Sequence, residues 1–532
     1  MESFDYIVVG AGSAGCVLAN RLSESGRHRV LILEAGPEDK SFWIRFPLGV
    51  GKTINDPNVN WCLRSEPEPF AGGRQLAVPR GKVLGGSSSI NGGVYVRGNR
   101  LDYDGWAQRG CRGWSFDDLL PYFKRSENFE RAGASSLRGK GGPLNVADVK
   151  AKDALLDGVI DAAVEQGYPR NADINGESQD GFNYSQTTTR NGWRNSSARA
   201  YLRPARGRAN LKVETNAIAR RILFEGKRAV GIEYAVEGQV KQARAMAEVI
   251  LAAGAIHSPA LLERSGVGSA ERLQRLGVAP VADLPGVGEN LQEHFAVWMK
   301  WRVANHLTLN ERTRGWRALA EGLKFVFLHS GALTMPAGPM MGFAHTRPGL
   351  ASPDVQFHAT PLTFENPETR RLDRFPGLTV SCLVLRPDSR GSVHLESAAP
   401  DAQPAIRFNA FEAQSDVDAI AAGMKIARRI IGSTALAKYE PQELAPGPKV
   451  QSEAELDAYV RRYGNTCFHP VGTCRMGIDD AAVLDPALRV RKVEGLRVAD
   501  ASIMPTMVSG NTNAPAIMIG EKASDLVLAD AR

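Results

Sequence analysis

The first forty residues carry hydrophobic and polar positions in blocks. Tyr6-Ile7-Val8-Val9 is an apolar, β-rich run of strand length, and it stops at Gly10-Ala11-Gly12-Ser13-Ala14-Gly15. Val17, Leu18 and Leu22 then recur at helical spacing, and Val30-Leu31-Ile32-Leu33 forms a second strand-length run closed by Glu34. Strand, glycine turn, helix, strand, acid is the order of a dinucleotide-binding βαβ unit. Gly10 permits the tight turn, Gly12 lets the backbone approach a pyrophosphate, and Gly15 lets the helix lie close to the strand. The helix N-terminus offers unpaired N–H groups to phosphate charge. Glu34, about twenty residues past Gly15, stands where a ribose hydroxyl would donate to a carboxylate. The unit leaves FAD and NAD both open.

Past Gly36 the polarity changes, and 37–79 reads as loops with short turns. The segment from Arg80 to Gly98 is rich in glycine with three consecutive serines (Ser87, Ser88, Ser89) before Val94-Tyr95-Val96. That composition permits close backbone approach and predicts a second cofactor-contacting segment. Ser115 is placed to cap a helix in the stretch Trp106 to Tyr122. Two strand patterns, 211–224 and 229–236, flank a turn at Glu225-Gly226-Lys227. A short buried strand at 249–253 stops at Gly254, and Ser258-Pro259 is expected to cap the helix that follows. From about Trp298 to Val450 the βαβ pattern gives way to alternating segments, 354–358 and 378–385, which read as antiparallel strands, and to an amphipathic helix over 416–431. The end returns to the style of the start, with a strand over 495–500 closed by Asp500 and a helix over 514–530. The two ends are therefore expected to share one domain, with the middle forming another.

A chain of 532 residues is too long for one ordinary domain, and its 43% hydrophobic and 23% charged content is that of a globular protein. The net charge of +7 comes from scattered basic residues with no run of five, which argues against nucleic-acid binding and leaves contact with anionic lipid open. Its six cysteines include no CxxC pair and no zinc-finger spacing, so no metal is expected and the thiols are expected to be unpaired, as in a reducing compartment. The first strand begins by Phe4 and leaves no room for a signal segment, and no apolar run approaches the roughly 18 residues of a spanning helix. A cytoplasmic protein, with peripheral contact to the inner membrane left open, is expected.

Four stretches resemble the glucose–methanol–choline (GMC) family of FAD-dependent oxidoreductases: the N-terminal fingerprint, 81–104, GAIHSPALLERSGVG at 254–268, and HPVGTCRMG at 469–477 with DASIMPTMVSGNTNA at 500–514. The resemblance covers essentially the whole chain. It implies an α/β fold, a doubly wound FAD-binding domain with a discontinuous substrate domain built on an antiparallel sheet. The FAD domain would comprise 1–150, 191–297 and 456–532, and the substrate domain 151–190 and 298–455. By the same resemblance, Gly12, Ser13 and Ala14 match the pyrophosphate turn, and Glu34 with Ala35 the ribose end. Val83 and Asn91, Gly92, Gly93 and Val94 match the segment beside the flavin, and Ala219 the backbone that meets the adenine. Asp500 and Ala501 resemble the residues by the pyrophosphate and ribityl chain, with Asn511 and Thr512 following. His469 matches the family's active-site histidine and Asn511 its partner. Some choline-oxidising members attach FAD covalently through a histidine that would fall at Ile90. Isoleucine has no nucleophilic nitrogen, so FAD is expected to be held non-covalently. Glu293 stands where Asp is usual.

The activity implied is oxidation of a primary alcohol to an aldehyde. The flavin N5 would take the hydride, His469 would serve as general base, and electrons would pass to a quinone or other carrier. An ordinary histidine pKa of about 6.5 suits that task near neutrality. His257 and His294, by contrast, read as packing groups, and Asn513 is the rival of Asn511. An oxidase of the same architecture using oxygen is the alternative, and a flavin protein without turnover a second. Met340, Met341, Phe357 and Leu362 hint at an apolar substrate pocket or at plain core, and no carboxylate suited to the ammonium of choline is evident.

Overall fold

The computed structural model describes residues 1–131, 135–366 and 369–531. Two seven-stranded sheets organise it. The first contains β1 (Glu2–Val9), β2 (Val30–Leu33), β3 (Leu211–Glu214), β4 (Ala217–Glu225), β5 (Arg228–Val236), β6 (Gln239–Leu251) and β7 (Leu496–Val498). They lie in the order β3-β2-β1-β6-β5-β4, with β7 also beside β6. The β3-β2-β1-β6-β7 pairings are parallel, and β4, β5 and β6 form an antiparallel meander. Val30 to Leu33 and Ile7 to Val8 are fully buried, as strands covered on both faces must be. The expected short strand at 249–253 is the end of a 13-residue strand whose polar first half the apolar pattern did not mark.

Helix α1 (Ser13–Ser23) follows the glycine turn, and α2 (Gly254–Arg264) leaves the C-terminal end of β6. Helix α2 begins at Gly254, before the expected cap: Pro259 lies inside it, and Ser258 donates to Asp500 instead of closing its own helix. Ser115 does cap a helix, Phe116–Ser126, through a capping box with Asp118, whereas Trp106 belongs to the preceding helix Arg100–Gln108. Three further helices matter below: α3 (Gly315–Leu328), α4 (Gln414–Ile431) and α5 (Asn513–Asp530). Glu521 of α5 is fully buried and accepts from Arg21 of α1, Arg125 and the Tyr201 hydroxyl, which fixes the last helix against the first.

The second sheet is antiparallel throughout, in the order Gln442–Ala445, Phe295–Arg302, Gly377–Val384, Val355–Thr360, Met340–Ala344, Gly181–Tyr184, with Asn465–Thr466 also beside Phe295–Arg302. Period-two alternation gives it two unlike faces. Val355, Phe357, Val380 and Cys382 join the core with Ile420 and Met424 of α4, while His358, Thr360, Thr379, Ser381 and Leu383 line a cavity. Phe357 and Met340 are therefore core, and Met341 is buried behind the wall residues Val94 and Leu383; of the four apolar candidates only Leu362 lines the cavity. None of the six cysteines is in a disulfide. Among the described residues no helix is long and apolar enough to cross a membrane.

Candidate active site

The glycine turn shows why its residues are what they are. Gly10 has φ +100°, and a Cβ there would stand 2.6 Å from the Ala252 carbonyl oxygen. A Cβ on Gly15 would stand 1.9 Å from the Gly10 oxygen, so only glycine lets α1 start this close to β1. Gly86, at φ +53°, lies against Gly12 and brings the serine-rich segment onto the same turn. Helix α1 has no side-chain cap and no acid in its first turn. Its leading N–H groups are left to an anion.

These groups open onto a cavity of about 2520 Å³ between the two sheets. That is well above the roughly 300–1,000 Å³ of a small-molecule pocket, so it has room for an extended dinucleotide and a substrate together. Gly12, Ser13, Ala14, Glu34, Ala35, Asn91, Gly92, Gly93, Val94, Ala219, His469, Asp500, Ala501, Asn511 and Thr512 all lie on its wall. Val83 does not. Its side chain is sealed in an apolar cluster with Ile44, Val59 and Ile90. Ser13 Oγ donates to Asn513 Oδ1 at 2.7 Å, which gives Asn513 a joining role between α1 and α5. Glu34 accepts from the Ala11 and Gly36 N–H groups at 3.0 and 2.9 Å, and burial pushes its carboxyl up to about 7. Asp500 is held by Gly254 N, Ser258 Oγ and Ser502 N, so it ties the start of α2 to the end of β7. A register shift between Ala219 and Arg221 takes that backbone partly off its ladder where it borders the cavity. An uncapped helix N-terminus, a glycine-lined turn and an acid at the end of β2 fit a dinucleotide.

His469 lies on the same cavity wall. Its Nδ1 is 3.0 Å from His294 Nδ1, and its Nε2 is 3.0 Å from Asn511 Nδ2. One backbone group fixes the protons here. The Leu385 carbonyl, 3.0 Å from His294 Nε2, can only accept, so His294 Nε2 carries hydrogen and its Nδ1 accepts. His469 Nδ1 is then the donor, and His469 Nε2 bears a lone pair. The other end agrees: Gln356 Nε2 donates to Asn511 Oδ1 at 3.3 Å, which turns the Asn511 amide nitrogen toward that lone pair. Burial, with His294, Arg80 and His358 nearby, pushes the His469 pKa well below its ordinary value, and burial brings His294 and His358 down to about 4. The near-neutral pKa expected for His469 is thereby corrected: desolvation disfavours the imidazolium in a site where Arg80 is already cationic. His294, expected to be packing, is the group that sets the tautomer.

Glu293 accepts the His469 backbone N–H on both oxygens at 2.7 and 2.9 Å, and burial raises its carboxyl to about 8. Arg80 Nη2 donates to the Phe468 carbonyl, and Phe468 has φ +67°. Together they clamp the turn that presents His469. His257, tilted against Trp61 with ring centroids 4.4 Å apart, is a packing group on the cavity wall as expected. Sequence reading missed His294, Gln356 and His358. For the last two the available signal was alternation, because positions 356, 358 and 360 share one face of their strand.

A dinucleotide cradle sharing one cavity with a neutral histidine whose Nε2 bears a lone pair defines the class: an α/β redox enzyme with a dinucleotide cofactor and a proton acceptor in the same cavity. Residues 4–296 and 387–520 match GMC oxidoreductase. The chain belongs to that family, whose flavoenzymes use FAD and act on CH–OH donors. It is 42% identical to the mitochondrial choline dehydrogenase of Homo sapiens over 99% of this chain and 90% of the relative. It is 42% identical to the oxygen-dependent choline dehydrogenase of Pseudomonas aeruginosa over 99% and 95%. Pyridoxine 4-oxidase from Mesorbium loti superposes with a TM-score of 0.88 at 29% identity, covering 98% of both chains.

Proposed function

We propose that the protein oxidises a primary alcohol to its aldehyde with non-covalently held FAD, His469 Nε2 taking the hydroxyl proton. The observation that carries this is the proton order from Leu385 through His294 to His469, which leaves a basic nitrogen where Asn511 and the cavity meet. Bound FAD would supply the hydride acceptor. Gly12, Ser13 and Ala14 would hold its pyrophosphate, Glu34 and Ala35 its ribose, Ala219 its adenine, Asp500 and Ala501 its pyrophosphate and ribityl chain, and Asn91 to Val94 with Asn511 and Thr512 the flavin end. The chain's own residues do the rest. Neutral His469 accepts the proton at Nε2, while Asn511 Nδ2 shares its donation with the substrate oxygen. General-base assistance of this kind is worth on the order of 10²–10⁴ in rate. Ile90 at the possible attachment position supports non-covalent binding.

Electrons would pass to a quinone or similar carrier. The alternative, transfer to oxygen with release of hydrogen peroxide, is supported by the likeness to pyridoxine 4-oxidase. The domain division at residues 150, 190, 297 and 455, a cytoplasmic placement and peripheral contact with a membrane belong to the same proposal. The test is anaerobic addition of choline, alkanols and benzylic alcohols to the yellow holoenzyme. Bleaching of the flavin in wild type and its loss in His469→Ala are expected, and acid precipitation should free the cofactor. A wild type that no alcohol bleaches, or a His469→Ala variant reduced at the normal rate, would refute the assignment.

A further inference from the structure

A surface helix ordinarily turns its apolar stripe inward. Helix α3 does the reverse. Trp316, Leu319, Leu323, Val326, Phe327 and Leu328 are 50–74% exposed. The first five fall at i, i+3, i+7, i+10 and i+11, on one outward side. The inner side is held by only two buried residues. Phe325 packs against Phe46 and Trp193 with ring centroids 4.9 and 4.6 Å apart. Glu321 pairs with Arg312 and Lys324 and accepts from the Ala332 N–H. The fold thus anchors the helix while leaving its apolar ridge uncovered. Phe42 and Trp43, 48% and 43% exposed, extend the ridge through the Phe42–Trp193 contact.

Around the ridge the well-exposed charge is positive. Over 42–54, 189–194 and 309–330 the exposed Lys, Arg, Asp and Glu residues are Arg45, Lys52, Arg190, Arg314 and Lys324. A monomer seldom exposes an apolar patch of this kind without a use for it. A second copy docked face to face would bring these cations against themselves. An apolar stripe carrying Trp and Phe inside a basic fringe has the chemistry of a helix lying in the interface of an anionic bilayer. The patch also borders the cavity, since Trp43, Leu48, Val50 and Lys52 from one side and Leu309 and Thr313 from the other are on its wall.

We propose that α3 and its flanks seat the protein on an anionic lipid bilayer with the rim of the cavity at headgroup level. For electron transfer this rests on the reading of function above: a quinone dissolved in the lipid would arrive from that side, take two electrons and two protons per alcohol oxidised, and leave as the quinol. The test is flotation of the holoenzyme with vesicles of phosphatidylcholine and phosphatidylglycerol, compared with phosphatidylcholine alone. Wild type should float with the anionic vesicles and be released by salt. The double variant Leu323→Glu/Phe327→Glu should bind about a hundredfold more weakly, a factor of at least about ten for each large apolar side chain withheld from the interface. Its turnover with a soluble dye should be unchanged; Leu323→Gln/Phe327→Gln serves if the acidic variant loses its flavin. Wild type that stays behind, or variants that float equally well, would overturn the proposal. So would a vesicle-free dimer that the substitutions split, because a second copy would then cover the ridge. Flotation without alcohol-dependent bleaching would leave the docking surface standing and remove the functional reading instead.

Discussion

Replacing His294 with Leu removes the acceptor for His469 Nδ1–H and leaves that donor buried and unpaired. The two tautomers of a free neutral imidazole differ little, so their populations here are set by their partners. An unsatisfied buried donor costs about 1–3 kcal/mol. At about 1.4 kcal/mol per factor of ten, that shifts His469 toward its Nε2–H form by roughly 5- to 150-fold. In that form the nitrogen facing Asn511 carries hydrogen and cannot accept the alcohol proton. The rate of flavin reduction should fall by up to that factor, since the Asn511 amide nitrogen still opposes the Nε2–H form, with FAD content unchanged because neither histidine contributes to the pyrophosphate turn. His294→Gln discriminates orientation from simple packing. Its amide nitrogen can donate to Leu385 while its oxygen accepts from His469, so it should recover most of the lost rate. Anaerobic rapid mixing with substrate reads this directly. A Leu variant that reduces its flavin at the wild-type rate would refute the proton order, and so would a Gln variant no faster than Leu.

The pH profile follows from the lowered pKa of His469. The neutral base is the active form, so kcat/KM should rise with pH only through a value well below 6.5 and stay level above it; an acid limb centred at or above 6.5 would contradict the burial argument. Glu34→Ala strips an acceptor from two backbone N–H groups at the end of β2 and should weaken FAD binding by about 10- to 100-fold. Gel filtration followed by the flavin-to-protein ratio checks it, and full occupancy would count against the role of Glu34. Gly15→Ala puts a methyl group 1.9 Å from the Gly10 oxygen, so α1 must move off β1. The expected outcome is colourless or insoluble protein, and a yellow, active variant would show that the turn tolerates the shift.

The first βαβ unit was legible because its signals are local. A turn that only glycine can make, a helix period and a strand-end acid all lie within 36 residues, and the structure reproduces each. The antiparallel character of 354–358 and 378–385 was legible for the same reason. What escaped is what long-range pairing creates. His294 lies 175 residues from His469, and Gln356 lies 155 from Asn511, so no spacing rule joins them. Met340 and Phe357 could be read as pocket or as core, because alternation reveals that a strand has two faces without telling which one meets α4. The pKa of His469 was misjudged because burial is a property of the assembled cavity. Gly254 read as a stop because a glycine of positive φ before a helix looks the same in sequence as one after it.

The clasp between α1 and α5 has a consequence for biosynthesis. Ser13 and Asn513 meet across 500 residues of chain, and Glu521 anchors Arg21 over the same span. A nascent chain that has already made its phosphate turn must therefore wait for α5 before that turn is backed and rigid. Cofactor loading then waits until α5 has left the ribosome, and a chain cut just before Asn513 should keep nearly every binding residue and still purify without colour.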